Sequence, residues 1–514
     1  MQTNNKEVLL SISNLKQYFP LKKGRFVKAN DGISIDIYKG ETFGLVGESG
    51  CGKSTLGRTI LQLYHQTYGR TMYYGRSLDD LAPKYMKNTI HNFVKLRKEW
   101  QTLTEKRDKL AAEYELLTEE QKYEKHAELD HAKKLAEDAM LNITKIFGGF
   151  VAVEDASQFQ PAYVTAFGFA DKKARLLEKR ENLALNCDEL SFREEKAPGS
   201  VTAKLAAAKA KLEKHDAVIK EVDDKLQAAK ADIQALRVKF ADTPDFAKYQ
   251  AMYDDGIDLA RLNYNEMRRL RRDMQLIFQD PYSSLNSRMS VGQIISEGMV
   301  AHNMVRNKGE RMQEKVLKVM DDCGLAPYFL HRFPHQFSGG QRQRIGIARA
   351  LATEPKFVVC DEAVSALDVS IQAQIINLLQ DLKEQQDLTY LFITHDLSVV
   401  KYISDRIGVM YLGNMVELAD SQEIFDNPVH PYTEALLNAI PTTSDESHKE
   451  LQILEGDIPS PVNPPKGCKF HTRCSYCTEI CKQVVPEWEE VSPNHFVACH
   501  HKLHRVSEKQ QAAE

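Results

Sequence analysis

The chain of 514 residues carries 68 basic and 72 acidic side chains, which gives a formal net charge of −4. This balance argues against a protein whose main partner is nucleic acid, since such proteins usually show a basic excess. The length leaves room for about three domains. Because no apolar run is long enough for a membrane span and the first residues lack a secretion-signal layout, we expect an intracellular protein.

The first motif that indicates a binding function follows a series of short β-type runs. These runs are Val8–Ile12, Ile33–Tyr38 and Thr42–Val46. Positions 47–54 then read GESGCGKS, which fits the pattern G-x-x-x-x-G-K-[ST], and a helix is expected over 55–63. Its glycines let backbone N–H groups converge on a phosphate at the N-terminus of that helix. The predicted phosphate contacts are Gly47, Ser49, Gly50, Cys51, Gly52, Lys53, Ser54 and Thr55.

Three side chains of this loop receive separate predictions. Lys53 would reach the β and γ phosphates of a nucleotide, and the Ser54 hydroxyl would ligate Mg²⁺. Cys51 is interpreted as a small filler in the loop and not as a nucleophile. The loop therefore predicts a nucleoside triphosphate and Mg²⁺ as its ligands.

Residues 79–260 differ in composition from the rest of the chain. They are rich in charged residues of both signs and poor in glycine, which is typical of solvated helix. One stretch keeps an apolar heptad register, which predicts a coiled-coil helix. Its seam positions are Leu205, Leu212, Ile219, Leu226, Ile233 and Phe240, with Ala208, His215, Val222, Ala229 and Leu236. A stretch at 93–117 has the same spacing, so we expect two long helices packed antiparallel.

A second part of the nucleotide site is predicted where an apolar run at 357–360 ends in two carboxylates. Hydrolysis of a triphosphate needs one carboxylate to hold the hydrated metal and another group to orient or deprotonate the attacking water. Asp361 suits the first role and Glu362 the second. Taken alone, the pair could equally cap a strand, and it is the loop at 47–54 that favours the catalytic interpretation.

Between these two motifs, positions 337–344 read FSGGQRQR. Ser-Gly-Gly-Gln at the start of a helix resembles the signature motif of ABC-type ATPases, with Phe337 where leucine is commonest. The motif makes physical sense as a second anion-binding helix N-terminus. The resemblance implies an α/β fold, an ABC-type P-loop domain with a helical subdomain, in which two chains sandwich two ATP molecules. The residues it assigns to the ATP of the facing subunit are Ser338, Gly339, Gly340 and Gln341.

Further elements resemble the same family in the same order along the chain. Gln279 is similar to the Q-loop residue that touches metal and permease, and Asp368 closes a stretch similar to the D-loop. His395 is similar to the switch histidine at the γ-phosphate, and Phe19, with Tyr18 as the alternative, to the aromatic residue that stacks on adenine. The resemblance thus implies Lys53, Glu362 and His395 as catalytic residues, and Ser54, Gln279 and Asp361 around Mg²⁺.

Longer stretches resemble one branch of that family, the ATP-binding subunits of oligopeptide and dipeptide importers. They include FPHQ at 333–336, the run 341–351, which is closer to the F-type subunit than to its D-type partner, and NPVHPYTEALL at 427–437. The resemblance implies a second ATPase subunit, often of D type, two membrane permeases, an extracellular peptide-binding protein, and a peripheral position on the cytoplasmic face of the membrane. Whether the facing ATPase is a second copy of this chain or a different chain stays open. Substrate remains open, since related systems carry nickel or haem.

Five of the nine cysteines lie close together near the end of the chain. Such clustering in an intracellular protein suggests metal and not disulfides. Cys468, Cys474, Cys481 and Cys499 match the cysteine set that some members of the resembled family use for a [4Fe–4S] cluster. Four thiolates would equally suit Zn²⁺ or stay metal-free, and Cys477 adds a fifth candidate.

Two functions other than peptide import are considered, namely DNA repair or chromosome organisation, and regulation without ATP hydrolysis. A coiled coil also interrupts the DNA-repair and chromosome-organising ATPases, but there it follows the Q-loop, whereas here it precedes Gln279. A regulatory protein that binds ATP without cleaving it is the other alternative, and the presence of Lys53, Asp361, Glu362 and His395 does not favour it.

The motifs divide the chain into five expected regions. The ABC ATPase domain comes in two parts, 1–78 and 261–425, which flank the inserted arm at 79–260. A C-terminal domain of peptide-importer type with the cysteines is expected at 426–506, and a disordered tail at 507–514.

Overall fold

The computed structural model describes most of the chain, namely residues 6–306, 309–440 and 456–503. The described residues form two compact units. The first combines the residues up to Thr71 with those from Arg268 onward, and the second is Met72–Met267. The tail expected at 507–514 lies outside the described residues, as do parts of the expected C-terminal domain.

Strands occur mainly in the first unit. They are β1 (Val8–Pro20), β2 (Phe26–Tyr38), β3 (Thr42–Val46), β4 (Tyr68–Tyr73), β5 (Ile257–Asp258), β6 (Met274–Ile277), β7 (Phe357–Asp361), β8 (Thr389–Ile393), β9 (Arg406–Tyr411), β10 (Asn414–Asp420), β11 (Glu489–Ser492) and β12 (His495–Val497). The run expected at Thr42–Val46 is confirmed as β3, whereas the runs expected at 8–12 and 33–38 are parts of longer strands.

Helices occur in both units. They are α1 (Lys53–Ile60), α2 (Leu78–Leu81), α3 (Lys84–His91), α4 (Phe93–Glu115), α5 (Glu119–Phe147), α6 (Gln160–Lys196), α7 (Thr202–Lys239), α8 (Phe246–Gln250), α9 (Tyr264–Leu270), α10 (Val291–Ala301), α11 (Glu310–Asp322), α12 (Gly339–Leu351), α13 (Val369–Gln386), α14 (Leu397–Ile403), α15 (Ser421–Asp426), α16 (Pro431–Asn438) and α17 (Glu479–Gln483). No helix in the described ranges is both long and apolar enough to span a membrane.

The main sheet of the first unit is parallel in its central part. Its strand order is β11-β12-β10-β9-β3-β8-β7-β6. Strands β9, β3, β8, β7 and β6 pair in parallel, while β10, β12 and β11 extend the sheet antiparallel. The apolar runs of β3, β7 and β8 are buried along their whole length, as expected where both faces of a parallel sheet are covered. The expected α/β class is confirmed.

Several helices bury their apolar faces in the same hydrophobic core as this sheet. The apolar faces of α10, α11 and α12 belong to the same buried cluster as β7 and β8. Ser290 caps α10 and Ser338 caps α12, each in a reciprocal capping box with the residue three positions on. The capping fixes where α12 begins, and therefore fixes the direction in which its first amide groups point.

The second unit differs from the expected pair of long helices. It contains four long helices, of which α4 packs on α5 and α6 packs on α7. Helix-breaking residues explain why there are four helices and not two. Gly148 follows the end of α5 with a positive φ of 56°, and Pro161 lies in the first turn of α6, where proline is tolerated. On α7 the seam residues Val222, Leu226 and Ile233 are buried, so its apolar stripe does face a neighbouring helix.

An aromatic cluster forms the centre of the second unit. Phe159 is fully buried, and its ring centroid lies 4.9 Å from that of Phe150, 5.2 Å from Phe93 and 5.7 Å from Phe147. Such offset and edge-on contacts add to the stabilisation from apolar burial. The second unit therefore has a hydrophobic core of its own.

We predict that Phe159→Ala lowers the free energy of unfolding of the second unit by about 3–5 kcal/mol, because it removes a fully buried ring and leaves a cavity. Trp100 and Trp488 are the two tryptophans of the chain, and Trp100 packs on Tyr249 within the second unit. In a Trp488→Phe background, tryptophan fluorescence during urea unfolding therefore reports on this unit alone.

The control for this experiment is Leu116→Ala. Leu116 is 88% exposed, so its truncation should change the unfolding free energy by no more than about 0.5 kcal/mol. Equal effects of the two substitutions would contradict a core centred on the phenylalanine.

Candidate active site

Four segments of the predicted site follow neighbouring parallel strands. Gly47 follows β3, His395 lies two residues after β8, Glu362 follows β7, and Gln279 lies two residues after β6. Because these strands are adjacent and parallel, their carboxyl ends lie at one edge of the sheet. Ligands of open α/β sheets usually bind outside this edge. The topology therefore brings together residues that are far apart in the sequence.

The loop at 47–54 is shaped by two glycines, whose backbone conformations are strained for any residue that has a side chain. Gly47 has a φ of +149°, and a Cβ there would lie 2.2 Å from the carbonyl oxygen of Met410. Gly52 has a φ of +104°, and a Cβ there would lie 2.1 Å from the carbonyl oxygen of Ala29. Both glycines are thus required for the loop to close against the strands around it.

Lys53 is buried within the curve of this loop. Its amine donates to the carbonyl oxygen of Gly47 at 2.7 Å and to that of Glu48 at 3.0 Å. Its neighbour Cys51 is also buried, and burial raises the pKa of the Cys51 thiol even though Lys53 opposes the shift. A thiol that resists ionisation is a poor nucleophile, which agrees with its interpretation as a filler.

Ser54 and Asp361 lie in contact beside the loop. The Ser54 hydroxyl donates to Asp361 Oδ1 at 2.6 Å, and Arg58 Nη2 lies 3.1 Å from Oδ2 of the same carboxylate. Asp361 is fully buried. A hydroxyl and a carboxylate are oxygen ligands of the kind that Mg²⁺ prefers, so the residues present fit the predicted magnesium site.

Glu362 is the centre of a second group of contacts. Gln279 Nε2 donates to Glu362 Oε2 at 2.6 Å, and His395 Nδ1 lies 3.4 Å from Oε1. Glu362 adopts a φ of +48°, a left-handed conformation that costs a residue with a side chain about 1–2 kcal/mol. Backbone strain of this kind concentrates at active sites. The glutamate, the glutamine and the histidine thus lie in mutual contact.

These groups line one cavity of about 680 Å³. Its walls include the whole loop from Gly47 to Thr55 together with Gln279, Glu362 and His395. Phe19 also lines the cavity and meets Tyr64 edge-on at 5.3 Å. The alternative aromatic residue, Tyr18, instead donates its hydroxyl proton to Asp31 at 2.5 Å. The geometry therefore favours Phe19 as the aromatic contact for a base.

The predicted signature residues lie elsewhere. Ser338 is the N-cap of α12 and Asp368 is the N-cap of α13, and both are exposed. Within the described part of the chain, the residues that line the cavity do not include Ser338, Gly339, Gly340, Gln341 or Asp368. A single chain therefore brings together the loop at 47–55, Gln279, Glu362 and His395. The signature residues and Asp368 lie outside this cavity.

Several residues that shape the site were missed by sequence reasoning. Asn30 Nδ2 donates to the Gly52 carbonyl at 3.0 Å, and Arg58 holds Asp361 as described above. Leu436 and Pro461 line the cavity from the C-terminal part of the chain. Only Arg58 had a possible signal, since it lies four residues after Ser54 and so on the same face of α1.

The cysteines near the C-terminus are neighbours without forming a closed ligand set. The backbone N–H of Cys468 donates to the carbonyl of Cys481 at 2.8 Å. Burial and then nearby thiols raise the pKa of Cys474 to about 11 and that of Cys499 to about 12. All nine thiols are free. Over the described ranges, no three His, Cys, Asp or Glu side chains converge closely enough to hold a metal ion.

Comparison with known proteins identifies the family. The ABC transporter family model matches residues 30–184 and 248–365, and the model for the C-terminal region of oligopeptide/dipeptide transporters matches 416–481. The oligopeptide transport ATP-binding protein AppF of Bacillus subtilis is 34% identical over 510 residues, which cover 97% of this chain and 99% of the relative. The chain belongs to the ABC transporter ATPases of oligopeptide transport.

Other members of this family show the same relationship. The putative oligopeptide transport ATP-binding protein YkfD of Bacillus subtilis is 34% identical over 505 residues, covering 98% of each chain. The oligopeptide transport ATP-binding protein OppF of Haemophilus influenzae is 49% identical over 246 residues, 48% of this chain and 74% of the relative. As an ABC ATPase with such relatives, the protein fits the importer hypothesis better than the DNA-repair or regulatory alternatives.

We predict that Asp361→Asn raises the Mg²⁺ concentration needed for half-maximal ATP hydrolysis by about 10–100-fold, the usual effect of losing a group that orients a metal and its bound water. The measurement is ATPase rate against Mg²⁺ at saturating ATP. Asp381→Asn, an exposed change on α13, is the matched control. An equal Mg²⁺ requirement in both variants would exclude Asp361 from the metal site.

Proposed function

We propose that this protein is the ATP-hydrolysing subunit of an ABC importer for peptides, and that it works as one of two ATPase subunits that enclose ATP between them. A single observation carries the proposal. The cavity of one chain contains Lys53, Glu362 and His395, whereas the anion-binding helix start at Ser338 lies outside it. A second ATPase subunit that presents a helix start of the same kind as that at Ser338 would complete the site.

The proposed chemistry assigns one task to each group. The backbone amides of the loop at 47–54 and the Lys53 amine bind the phosphates, with Phe19 against the base. Ser54, Asp361 and Gln279 would hold Mg²⁺, which supplies charge neutralisation for phosphoryl transfer.

Glu362 orients the attacking water and accepts its proton, and His395 contacts the γ-phosphate. The contact between Gln279 and Glu362 at 2.6 Å supports this assignment, since it connects the predicted permease-sensing residue to the catalytic carboxylate.

The proposed partners follow from the family. They are a second ATPase subunit, either a second copy of this chain or a D-type chain, two membrane permeases and an extracellular peptide-binding protein. The chain would then be peripheral on the cytoplasmic face of the membrane, without nucleic acid as a partner. Peptide is the substrate that the names of the relatives support. Selection of the substrate would lie with the permeases and the binding protein.

We further propose that 1–78 and 261–425 act as the ATPase domain, 79–260 as an inserted coiled-coil arm, and 426–506 as the importer-type C-terminal domain. Buried seam residues on α7 support the arm as a set of packed helices. The separate aromatic core around Phe159 supports its independence as a folding unit.

For the C-terminal cysteines we propose a [4Fe–4S] cluster bound by Cys468, Cys474, Cys481 and Cys499, with Zn²⁺ as the alternative ion. The backbone hydrogen bond between Cys468 and Cys481 supports the proposal, since it places two of the four cysteines side by side. Coordination to a metal ion would deprotonate these thiols.

The cysteine proposal predicts different effects of two neighbouring substitutions. Cys474→Ser should abolish most bound iron or zinc, because it removes one of four thiolates, whereas Cys477→Ser should retain it. Anaerobic purification followed by elemental analysis and visible absorbance measures both the amount and the kind of metal. Equal metal content in the two variants would contradict the proposed ligand set.

For the catalytic role we predict that Glu362→Gln binds ATP, nearly abolishes turnover and accumulates an ATP-dependent dimer. The amide cannot accept the proton of the attacking water, so the closed state persists. Nucleotide binding, ATPase rate and light scattering measure the three effects. Substantial remaining hydrolysis would remove Glu362 from its role.

A second variant tests the completed site. Glu362→Gln combined with Ser338→Arg should still bind ATP through Lys53. The double variant should remain monomeric, because a bulky cation replaces the hydroxyl that caps α12 on the surface proposed to meet the other subunit. Dimer formation by the double variant would contradict the shared site. If Glu362→Gln itself binds ATP and stays monomeric, the facing subunit is a different chain.

A further inference from the structure

A charged pair connects the C-terminal segment to the phosphate-binding loop. Two guanidinium nitrogens of Arg473 contact the carboxylate of Glu48, at 2.7 and 3.0 Å. The Arg473 side chain is only 5% exposed and that of Glu48 is 24% exposed. These hydrogen bonds raise the pKa of Arg473. Bidentate contacts of this kind are the strongest and most directional of charged pairs.

Glu48 is itself part of the loop that surrounds Lys53. Its carbonyl oxygen accepts from the Lys53 amine at 3.0 Å, and its backbone N–H donates to the Tyr432 hydroxyl at 2.9 Å. Tyr432 is fully buried and packs against Phe470, three residues before Arg473, with ring centroids 5.2 Å apart. The position of Glu48 is thus fixed by its side chain and its backbone together.

The segment that carries Arg473 makes further contacts near the cavity. The Lys469 amine lies 3.1 Å from Asp31 Oδ2, and it donates to the Leu412 carbonyl at 3.2 Å. The Pro461 carbonyl accepts from the backbone N–H of Lys28 at 3.1 Å, and Pro461 lines the cavity. The segment 461–473 is therefore anchored beside the cavity, and Pro461 at its start is part of the cavity wall.

The charge of Glu48 gives this contact a consequence for nucleotide binding. A carboxylate in the loop that holds a triphosphate repels the ligand, and the repulsion is strong where water is partly excluded. Arg473 neutralises that charge and keeps the carboxylate turned towards itself. Loss of Arg473 would leave this carboxylate with the Tyr432 hydroxyl at 3.5 Å but without a cation, and so would leave an uncompensated negative charge beside the phosphates.

We propose that Arg473 is a positioning residue for ATP, which acts through Glu48 to hold the loop at 47–54 in its binding conformation. Docking of the C-terminal segment then sets the affinity for ATP. The inference rests on the proposed function, since it assumes that this loop binds ATP. It adds that residues more than 400 positions away in sequence determine how tightly the loop binds.

Arg473→Met in the full chain tests the proposal. We expect the Kd and KM for ATP to rise about tenfold, less than for a fully buried pair because Glu48 is partly exposed, while kcat changes less than about twofold. Arg473→Lys, which keeps the charge but not the two-nitrogen contact, should fall between wild type and Arg473→Met. Fluorescent-nucleotide titration and steady-state ATPase assays measure these values.

Two further variants separate positioning from a general loss of structure. Glu48→Gln added to Arg473→Met should restore most of the ATP affinity, because the unpaired carboxylate is then gone. A merely structural role predicts no such rescue. Arg180→Met breaks another two-nitrogen contact, with Asp216 in the second unit, and should leave the Kd unchanged.

The outcomes distinguish this inference from the function it rests on. Unchanged ATP affinity in Arg473→Met, or failure of Glu48→Gln to restore it, overturns the positioning role. Lys53→Ala supplies the comparison, since it should abolish ATP binding. If Lys53→Ala loses binding and Arg473→Met does not, only the inference fails, whereas unchanged binding in both variants overturns the proposed function as well.

Discussion

The parallel pairing of β3, β8, β7 and β6 is the constraint on which the site depends. Leu45 pairs with Ile393, Ile393 with Asp361, and Ile277 with Cys360. In this register the four strands end almost level, so the loops that follow them meet above one edge of the sheet. A slip of one residue would turn each side chain to the opposite face. In this register the Ser54 hydroxyl donates to Asp361 at 2.6 Å.

The C-terminal part of the first unit is fixed by a buried carboxylate. Glu417 on β10 is fully buried and accepts from the backbone N–H groups of Val429 and His430 at 2.7 and 3.0 Å. His495 on β12 lies 2.8 Å from the same carboxylate. Buried charges are stable only when they are satisfied in this way. The network holds α16 in place, and with it Tyr432, whose hydroxyl meets the phosphate-binding loop.

The second unit follows a different principle. Its helices bury apolar stripes against each other, as the seam of α7 shows, and an aromatic cluster around Phe159 fills its centre. A local apolar repeat marks which face of a helix such as α7 is buried, while the chemistry of the first unit depends on contacts between distant segments. The chain thus combines one unit organised by local periodicity with one organised by long-range pairing.

The sequence by itself determined the chemistry of the ATP site. Spacing alone predicted the phosphate-binding loop at 47–54. Asp361 and Glu362 were predicted as metal and water contacts only in combination with that loop. These signals are local because a loop that wraps a phosphate and a strand that ends in carboxylates are built from consecutive residues.

Only the tertiary structure decided the pairing of the long helices, the position of Phe19 in the cavity wall and the contact of Arg473 with Glu48. Each of these depends on which surfaces meet, and no local pattern encodes a contact between residues hundreds of positions apart.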